Sequence, residues 1–272
     1  MAISRAQLLK ELLPGLNALF GMEYARYDDE HTEIYETESS DRSFEEEVKL
    51  SGFDAAPVKD EGDAISYDAA QESFVARYNH ETIAMGFAIT EEAMEDNLYD
   101  SLSARYTKSL ARAMAHTKQV KAVFPLNNGF TAAYQGGDGV NLFTASGDGV
   151  TGGDGHPLVS GGKNSNRPAT AADLNETSLE AAVIQIGKWT DERGLLIAAR
   201  PQTLVIPPDL QFVATRVMKS ELRPSSADND INALRSMNVI AGGTVVNHYL
   251  TDVDAWFLLT DIPDGMKHFN RV

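Results

Sequence analysis

Residues 86–125 read GFAITEEAMEDNLYDSLSARYTKSLARAMAHTKQVKAVFP, and this stretch decides the class of fold. Thr90 is a good helix N-cap, because a threonine oxygen can accept from an N–H of the first turn. Glu91 and Glu92 then place negative charge at the positive end of the helix dipole. Leu98, Leu102, Tyr106, Leu110, Ala113, Thr117 and Val120 follow at helical spacing and predict one apolar face. Arg105, Lys108, Arg112 and His116 form a basic stripe beside it. A continuous helix from Glu91 to Val123 would be about 50 Å long at about 1.5 Å per residue. Asp96-Asn97 is its weak point, and Pro125 is its expected stop.

Outward toward the N-terminus, Ser4 to Leu13 predicts a short amphipathic helix. Ser4 and Gln7 fit a capping box, Leu8, Leu9, Leu12 and Leu13 make the face, and Pro14-Gly15 is the expected end. Leu16, Leu19 and Phe20 add a further turn. The polar stretch to Ser43, with a short strand expected around Ile34 and Tyr35, has no clear period and reads as an extended arm. Phe44–Leu50 and Ile65–Arg77 read as two extended runs around a turn-rich middle with Pro57 and Gly62. An isolated hairpin in water is marginal, so this one needs a surface to lie on.

Outward toward the C-terminus, residues 135–170 are rich in Gly, Asp, Asn and Ser and predict loops. Thr177 and Glu180 suggest a capping box before a helix carrying Leu179, Val183 and Ile186. Leu204–Ile206 reads as a strand. Pro207-Pro208 introduce a helix with Leu210, Val213, Ala214, Val217 and Met218 on one side. Val239–Ala241, Thr244–Tyr249 and Trp256–Leu259 read as short strands. Helices and strands mix without a βαβ cadence, so the class is α+β. No internal repeat is visible.

The 272 residues suit one or two domains, and 43% hydrophobic content supplies a core. No apolar run reaches the roughly 18–20 residues of a membrane span, and the start lacks the pattern of a secretory signal. With no cysteine there is no disulfide, thiolate metal site or cysteine nucleophile. A net charge of −17 argues against a protein that grips phosphate through a general positive field. The charge is uneven: residues 23–96 carry about 22 acidic against 5 basic side chains, whereas 97–125 set Arg105, Lys108, Arg112, Lys118 and Lys121 against Asp100 alone.

No constellation for chemistry emerges. Gly136-Gly137-Asp138-Gly139-Val140-Asn141-Leu142-Phe143 approximates one calcium-binding nonapeptide, but such sites need stacked copies, and the next one, Gly152 to Pro157, lacks the carboxylate. Gly161-Gly162-Lys163-Asn164 lacks both the glycine spacing and the hydroxyl of a phosphate loop. None of His31, His80, His116, His156, His248 and His268 has a second histidine at zinc-ligand spacing. There is no nucleophile elbow. Trp189 and Trp256 are expected to serve packing. Catalytic, cofactor and metal residues are therefore expected to be none, and no cofactor is expected.

Several phrases, in order, resemble the major head subunits of tailed phages, including the Mu-like ones. They are Ser43-Phe44-Glu45-Glu46 leading to Phe53, Ala56-Pro57-Val58-Lys59, Ile65-Ser66-Tyr67-Asp68 and Gly86 to Ala93. Later come Asn128-Gly129-Phe130, Gly139 to Thr144, Thr203 to Leu210, and Val245-Val246 through Trp256 to Leu259. The resemblance implies a Hong Kong 97-type capsid fold: 1–43 an N-terminal arm, 44–85 an extended E-loop, 86–170 a peripheral domain with a long spine helix, and 171–260 an axial domain. Residues 261–272 would return to the peripheral domain, which is expected to be incomplete because relatives continue into further strands. The Gly147–Gly155 stretch looks inserted relative to the family.

By the same resemblance the chain would self-assemble into hexamers and pentamers of an icosahedral head around double-stranded DNA, without being an enzyme. The intersubunit contact candidates are Phe44, Val48, Pro57, Lys59 and Asp60 on the E-loop, and Arg105, Lys108 and Arg112 on the helix. The implied partners are copies of itself, a separate scaffolding protein (no helical prodomain precedes the arm), a portal, a decoration protein and packaged DNA contacted non-specifically. No membrane partner is implied. The location implied is the virion, after assembly in the host cytoplasm. The alternatives are an encapsulin-type compartment shell, which the long arm disfavours, and a calcium-dependent binding protein using the Gly/Asp loop.

Overall fold

The computed structural model describes residues 5–88, 90, 92, 99–147, 154–222 and 230–271. The chain divides into two compact units, residues 1–32 with 81–123 and residues 33–80 with 124–272.

The first unit is built around helices α1 (Arg5–Tyr24) and α2 (Tyr99–Asn128), the last turn of α2 belonging to the second unit. Both helices correct the reading of their prolines. Pro14 lies within α1 and Pro125 within α2. Proline removes one backbone bond and crowds the carbonyl four residues back, yet its fixed φ is itself helical, so the flanking turns can continue. The expected caps at Ser4 and at Thr90 to Glu92 fall largely outside the described residues.

The buried face of α2 also differs from expectation. Ser103, Thr107, Ala111, Ala115 and Gln119 are buried in a row spaced by four, and Ala122, Val123 and Leu126 are buried after it. Of the expected stripe, Leu110, Ala113 and Thr117 are half-buried, while Leu98 and Leu102 lie outside the described side chains. Tyr106 is half exposed and Val120 lies 41% exposed. Residues 81–87 meet the helix at two points: Glu81 Oε2 lies 2.7 Å from Lys121 Nζ, and the Phe87 and Tyr106 rings sit 5.8 Å apart. The helical rise between positions 106 and 121, about 22 Å, matches about 20 Å of extended chain between 81 and 87.

The segment after α1 closes on the same helix through Gln119. Its Oε1 accepts from the His31 backbone N–H at 3.2 Å, and its Nε2 donates to His31 Nδ1 at 3.1 Å. Lys118 Nζ donates to Asp29 Oδ2 at 3.1 Å. An amide donating to Nδ1 selects neutral histidine.

Among the described residues the second unit contains four small sheets. Strand β1 (Glu36–Ser40) pairs in parallel with β9 (Lys267–Arg271), from Glu36↔Lys267 to Ser40↔Arg271. Ile34 and Tyr35, the expected strand, are instead buried residues just ahead of β1. Strands β2 (Phe44–Leu50) and β3 (Glu72–Asn79) form an antiparallel hairpin. Ile65 and Tyr67 therefore lie in the connecting loop and not in the strand expected from Ile65. Strands β4 (His156–Pro157) and β5 (Lys163–Asn164) form a two-residue ladder.

The largest sheet has the order β7-β6-β8, from Thr244–Val246, Pro201–Ile206 and Phe257–Thr260. Leu204 and Ile206 of β6 pack on Leu179 of α3 (Glu176–Ile186), on Ala214 and Val217 of α4 (Gln211–Lys219) and on Leu234 of the short α5 (Ala233–Ser236). The apolar side expected for α4 is the observed one. The α3 cap is shifted: Asn175 and Ser178, rather than Thr177 and Glu180, make the reciprocal box. Val239–Ala241 is not a strand. Ile240 enters the core from a turn that is tightened by Asn238 at φ 47° and Gly243 at φ 76°. Trp189 and Trp256 do more than pack, since their indole N–H groups donate to the carbonyls of Ser165 at 2.9 Å and Ala172 at 3.0 Å.

Two outcomes follow from these contacts. A Cβ at Gly242 would stand 2.4 Å from Thr203 Oγ1 and 2.8 Å from the Gln202 carbonyl oxygen, so Gly242→Ala is expected to cost about 2 kcal/mol in a denaturant titration. Burial, assisted by the Lys118 cation, holds His31 below its ordinary 6.5, with the Asp29 carboxylate opposing. A depressed histidine contributes stability that is complete above about pH 6.5 and lost as pH falls below it. The drop in Tm from about pH 7 to about pH 5 is accordingly expected to be smaller in His31→Gln than in the parent; equal drops would assign the effect elsewhere.

Candidate intersubunit surface

Strand geometry divides the β2–β3 hairpin into two faces. Phe44, Glu46, Val48 and Leu50 alternate onto one side of β2, where Val48 pairs with Val75 and Glu46 with Arg77. Phe44, Val48, Leu50 and Val75 are all exposed. Arg77 spans this face, its guanidinium 4.3 Å from the Phe44 ring centroid and its Nε donating to Glu46 Oε1 at 2.7 Å. The other side carries Glu45 and Glu47. This arrangement reverses a surface hairpin's usual preference: Glu45 and Glu47 turn toward their own chain, while Phe44, Val48 and Leu50 turn away beside the Glu46–Arg77 pair.

The inward carboxylates are what fix the hairpin. Lys267 Nζ of β9 sits 2.8 Å from Glu47 Oε1, 3.6 Å from Glu38 Oε1 of β1 and 3.2 Å from Asp264 Oδ1. Those neighbours hold the ammonium above its ordinary pKa, chiefly through its bonds to Glu47 and Asp264. Ser40 Oγ donates to Glu45 Oε1 at 2.6 Å, and the Tyr78 ring lies 6.0 Å from that of Phe269. Further along, the backbone of Gly137 abuts β3 so closely that a Cβ there would fall 2.6 Å from the Val75 carbonyl oxygen.

At the far end Lys49 Nζ pairs with Glu192 Oε1. The buried Glu192 carboxylate also accepts from the Val159 N–H at 3.1 Å. Arg193 reaches both chains of the hairpin. Its Nε donates to the Gly52 carbonyl at 3.3 Å and its Nη2 to the Ala69 carbonyl at 2.8 Å. Beyond these residues the loop stands clear. Val58 is 95% and Tyr67 92% exposed, with Phe53 and Ile65 exposed beside them.

The candidate residues therefore fall in three places. Phe44 and Val48 share the outer face of the hairpin, Pro57, Lys59 and Asp60 lie in the exposed loop, and Arg105, Lys108 and Arg112 are exposed along α2. Of the cations on that helix, Lys118 and Lys121 have intrachain carboxylates, whereas Arg105, Lys108 and Arg112 have none among the described residues. Sequence reasoning missed Lys267, Gly137, Glu192 and Arg193, which lie 61 to 220 residues from the hairpin positions they meet. Nothing local marks them.

Two clusters resemble catalytic chemistry and serve structure. His80 Nε2 lies 3.0 Å from Ser40 Oγ, but that hydroxyl donates to Glu45 and also accepts from the Arg42 N–H at 3.2 Å. With its proton committed to a carboxylate, Ser40 is not paired with a base as a nucleophile requires. In the Gly/Asp loop, Asp138 spends both oxygens internally, Oδ1 on the Val140 N–H at 3.3 Å and Oδ2 on His156 Nδ1 at 2.6 Å. No group of three metal-ligating side chains is assembled among the described residues. At Gly161-Gly162-Lys163-Asn164 the Gly161 N–H is turned onto the Leu158 carbonyl and Lys163 onto Asp154.

A family model described as phage capsid protein matches residues 75–270. No curated protein matches the sequence. Among solved structures, a procapsid chain of bacteriophage JBD30 is similar at 15% identity, with a TM-score of 0.56, covering 91% of this chain and 100% of that one. A chain of the JBD30 capsid decorated with minor capsid protein trimers is similar at 16% identity, with a TM-score of 0.55, covering 80% and 89%. These likenesses establish an α+β capsid fold, and the family match extends over most of the sequence. The chain belongs to the phage capsid protein family, whose members are structural proteins of the virion.

Proposed function

We propose that this capsid subunit assembles with copies of itself into hexamers and pentamers of an icosahedral head around double-stranded DNA, and that the 44–79 hairpin is the strap joining neighbours. The observation that carries this reading is the inversion of the hairpin: its charged face is tied down within the chain, leaving Phe44, Val48, Leu50 and Val75 exposed. Covering such side chains against a neighbour contributes about 1.5–3 kcal/mol for each one fully buried. Many copies of one modest contact make a durable shell while leaving each contact correctable during growth.

The partner surface we assign to the loop is the Arg105, Lys108 and Arg112 stripe of a neighbouring copy. The loop carries Asp54, Asp60, Glu61, Asp63 and Asp68 against Lys59 alone, so it complements three cations that have no carboxylate partner among the described residues. In Hong Kong 97 terms, 1–43 serve as the arm, 44–85 as the E-loop, 86–170 with 261–272 as the peripheral domain and 171–260 as the axial domain. A separate scaffolding protein, a portal and a decoration protein are the further partners, and assembly takes place in the host cytoplasm. With a net charge of −17, contact with packaged DNA is weak and non-specific. The role is architectural and involves no catalysis.

The test is negative-stain microscopy of the full-length chain. Replacing Arg105, Lys108 and Arg112 together by Glu is expected to abolish shells while leaving the circular dichroism spectrum unchanged; normal shells would overturn the helix assignment. Deleting residues 53–68 is expected to abolish shells as well. Raising salt from about 0.05 to about 1 M shortens the screening length severalfold, and should slow assembly of the parent measurably by light scattering.

A further inference from the structure

We infer that Arg193 forms a collar on the hairpin, dividing it into a fixed stem, residues 44–52 and 69–79, and a tip, residues 53–68, that moves as a separate body. This inference stands on the geometry of one chain; only its consequence for shells rests on the strap role proposed above.

The collar grips both chains of the hairpin at a single level. The last rung is Ser51 with Gln71: the Ser51 N–H donates to the Gln71 carbonyl at 2.8 Å, and the Gln71 N–H to Ser51 Oγ at 2.9 Å. One residue beyond on one strand and two on the other, the Arg193 guanidinium takes the Gly52 and Ala69 carbonyls. Its Nη1 lies 3.9 Å from Asp54 Oδ2. The planar fork with its fixed donors suits this bridging role, which the single ammonium of a lysine cannot reproduce. The Arg193 side chain is only 14% exposed, so its bonds are partly shielded from water.

The collar is itself held stiffly. Arg193 sits in a tight turn closed by the Thr190↔Leu196 bridge and by the Asp191 N–H donating to the Leu195 carbonyl at 2.8 Å. Asp191 Oδ1 accepts from the N–H groups of Arg193 and Leu195 at 2.9 and 2.8 Å. The adjacent Glu192 secures Lys49 on the stem. Stem motion is thus opposed at the root by Lys267, midway by Gly137 and at the end by Glu192 and Arg193.

The tip is organised independently. Asp68 Oδ2 accepts from the Asp54 N–H and Oδ1 from the Ala69 N–H, both at 2.8 Å, and these bonds hold its carboxyl below its ordinary pKa. One carboxylate therefore closes the base of the loop just outside the collar. Between the two lies Phe53 on one strand, with the Asp68–Ala69 link opposite it on the other, and these positions form the pivot. A neighbour met at a different angle would be accommodated by turning the tip, without breaking the Lys267 or Glu192 ion pairs.

Hydrogen–deuterium exchange on the full-length, unassembled chain tests the collar. The parent should exchange slowly over 44–51 and 71–79 and rapidly over 54–67. Arg193→Ala should accelerate exchange at 49–52 and 69–72 by at least tenfold while 201–206 stay protected, and Arg193→Lys should behave like Arg193→Ala. Unchanged exchange at 49–52 and 69–72 in Arg193→Ala, or parental protection in Arg193→Lys, overturns the bridging role. Should Arg193→Ala also unprotect 201–206, Arg193→Lys alone decides. Because the readout needs no shells, a failed collar and a failed strap are told apart.

Discussion

The interaction on which the architecture of the second unit turns is the seating of Glu47 and Glu38 around Lys267. One ammonium from the C-terminal strand takes a carboxylate from β1 and another from β2, and so joins the parallel β1–β9 pair to the root of the hairpin. An isolated two-stranded hairpin is barely stable in water. Here its stability comes from polar attachments on one face, with Ser40 holding Glu45 beside the lysine. An exposed ion pair would contribute little, but this ammonium is largely covered and shared among three carboxylates. Once the charged face is committed inward, strand alternation leaves no choice about the other face, and the apolar side chains point out.

The long helix applies the same economy of surface in another way. Its buried row is made of the small or polar Ser103, Thr107, Ala111, Ala115 and Gln119, while Arg105, Lys108 and Arg112 remain exposed. Gln119 reads the neutral form of His31 and bonds Asp29 Oδ1 at 3.0 Å. A core of large side chains forms elsewhere, where β6 is covered by α3, α4 and α5. Burial is thus concentrated in that compact sheet-and-helix body, and thin, polar attachments carry the parts that reach outward.

Local signals in the sequence were read correctly where periodicity and chemistry agreed. The α4 face, the β6 strand, the hairpin with its exposed loop and the basic stripe of α2 were all legible, because alternation and helical spacing are properties of neighbouring residues. The errors share one cause. Local rules make Pro14 and Pro125 stops and the stripe containing Tyr106 and Val120 the buried face, because they rank what a segment prefers alone. Tertiary contact decides whether a helix continues past a tolerated proline and which of two candidate faces is covered. The α3 cap moved by two residues for a related reason: both Asn175-Ser178 and Thr177-Glu180 fit the capping pattern, and only the backbone path chooses between them.

By itself the sequence determined an α+β protein with an acidic hairpin and a basic helix, since composition, charge order and periodicity need no knowledge of distant contacts. Only the tertiary structure decided which face of the hairpin is inward, where its stem ends and which cations are already paired. Those outcomes depend on Lys267, Glu192 and Arg193 meeting residues far away in the chain. The pairing of a lysine with one glutamate among many is a matter of position in space, which spacing along the chain does not encode.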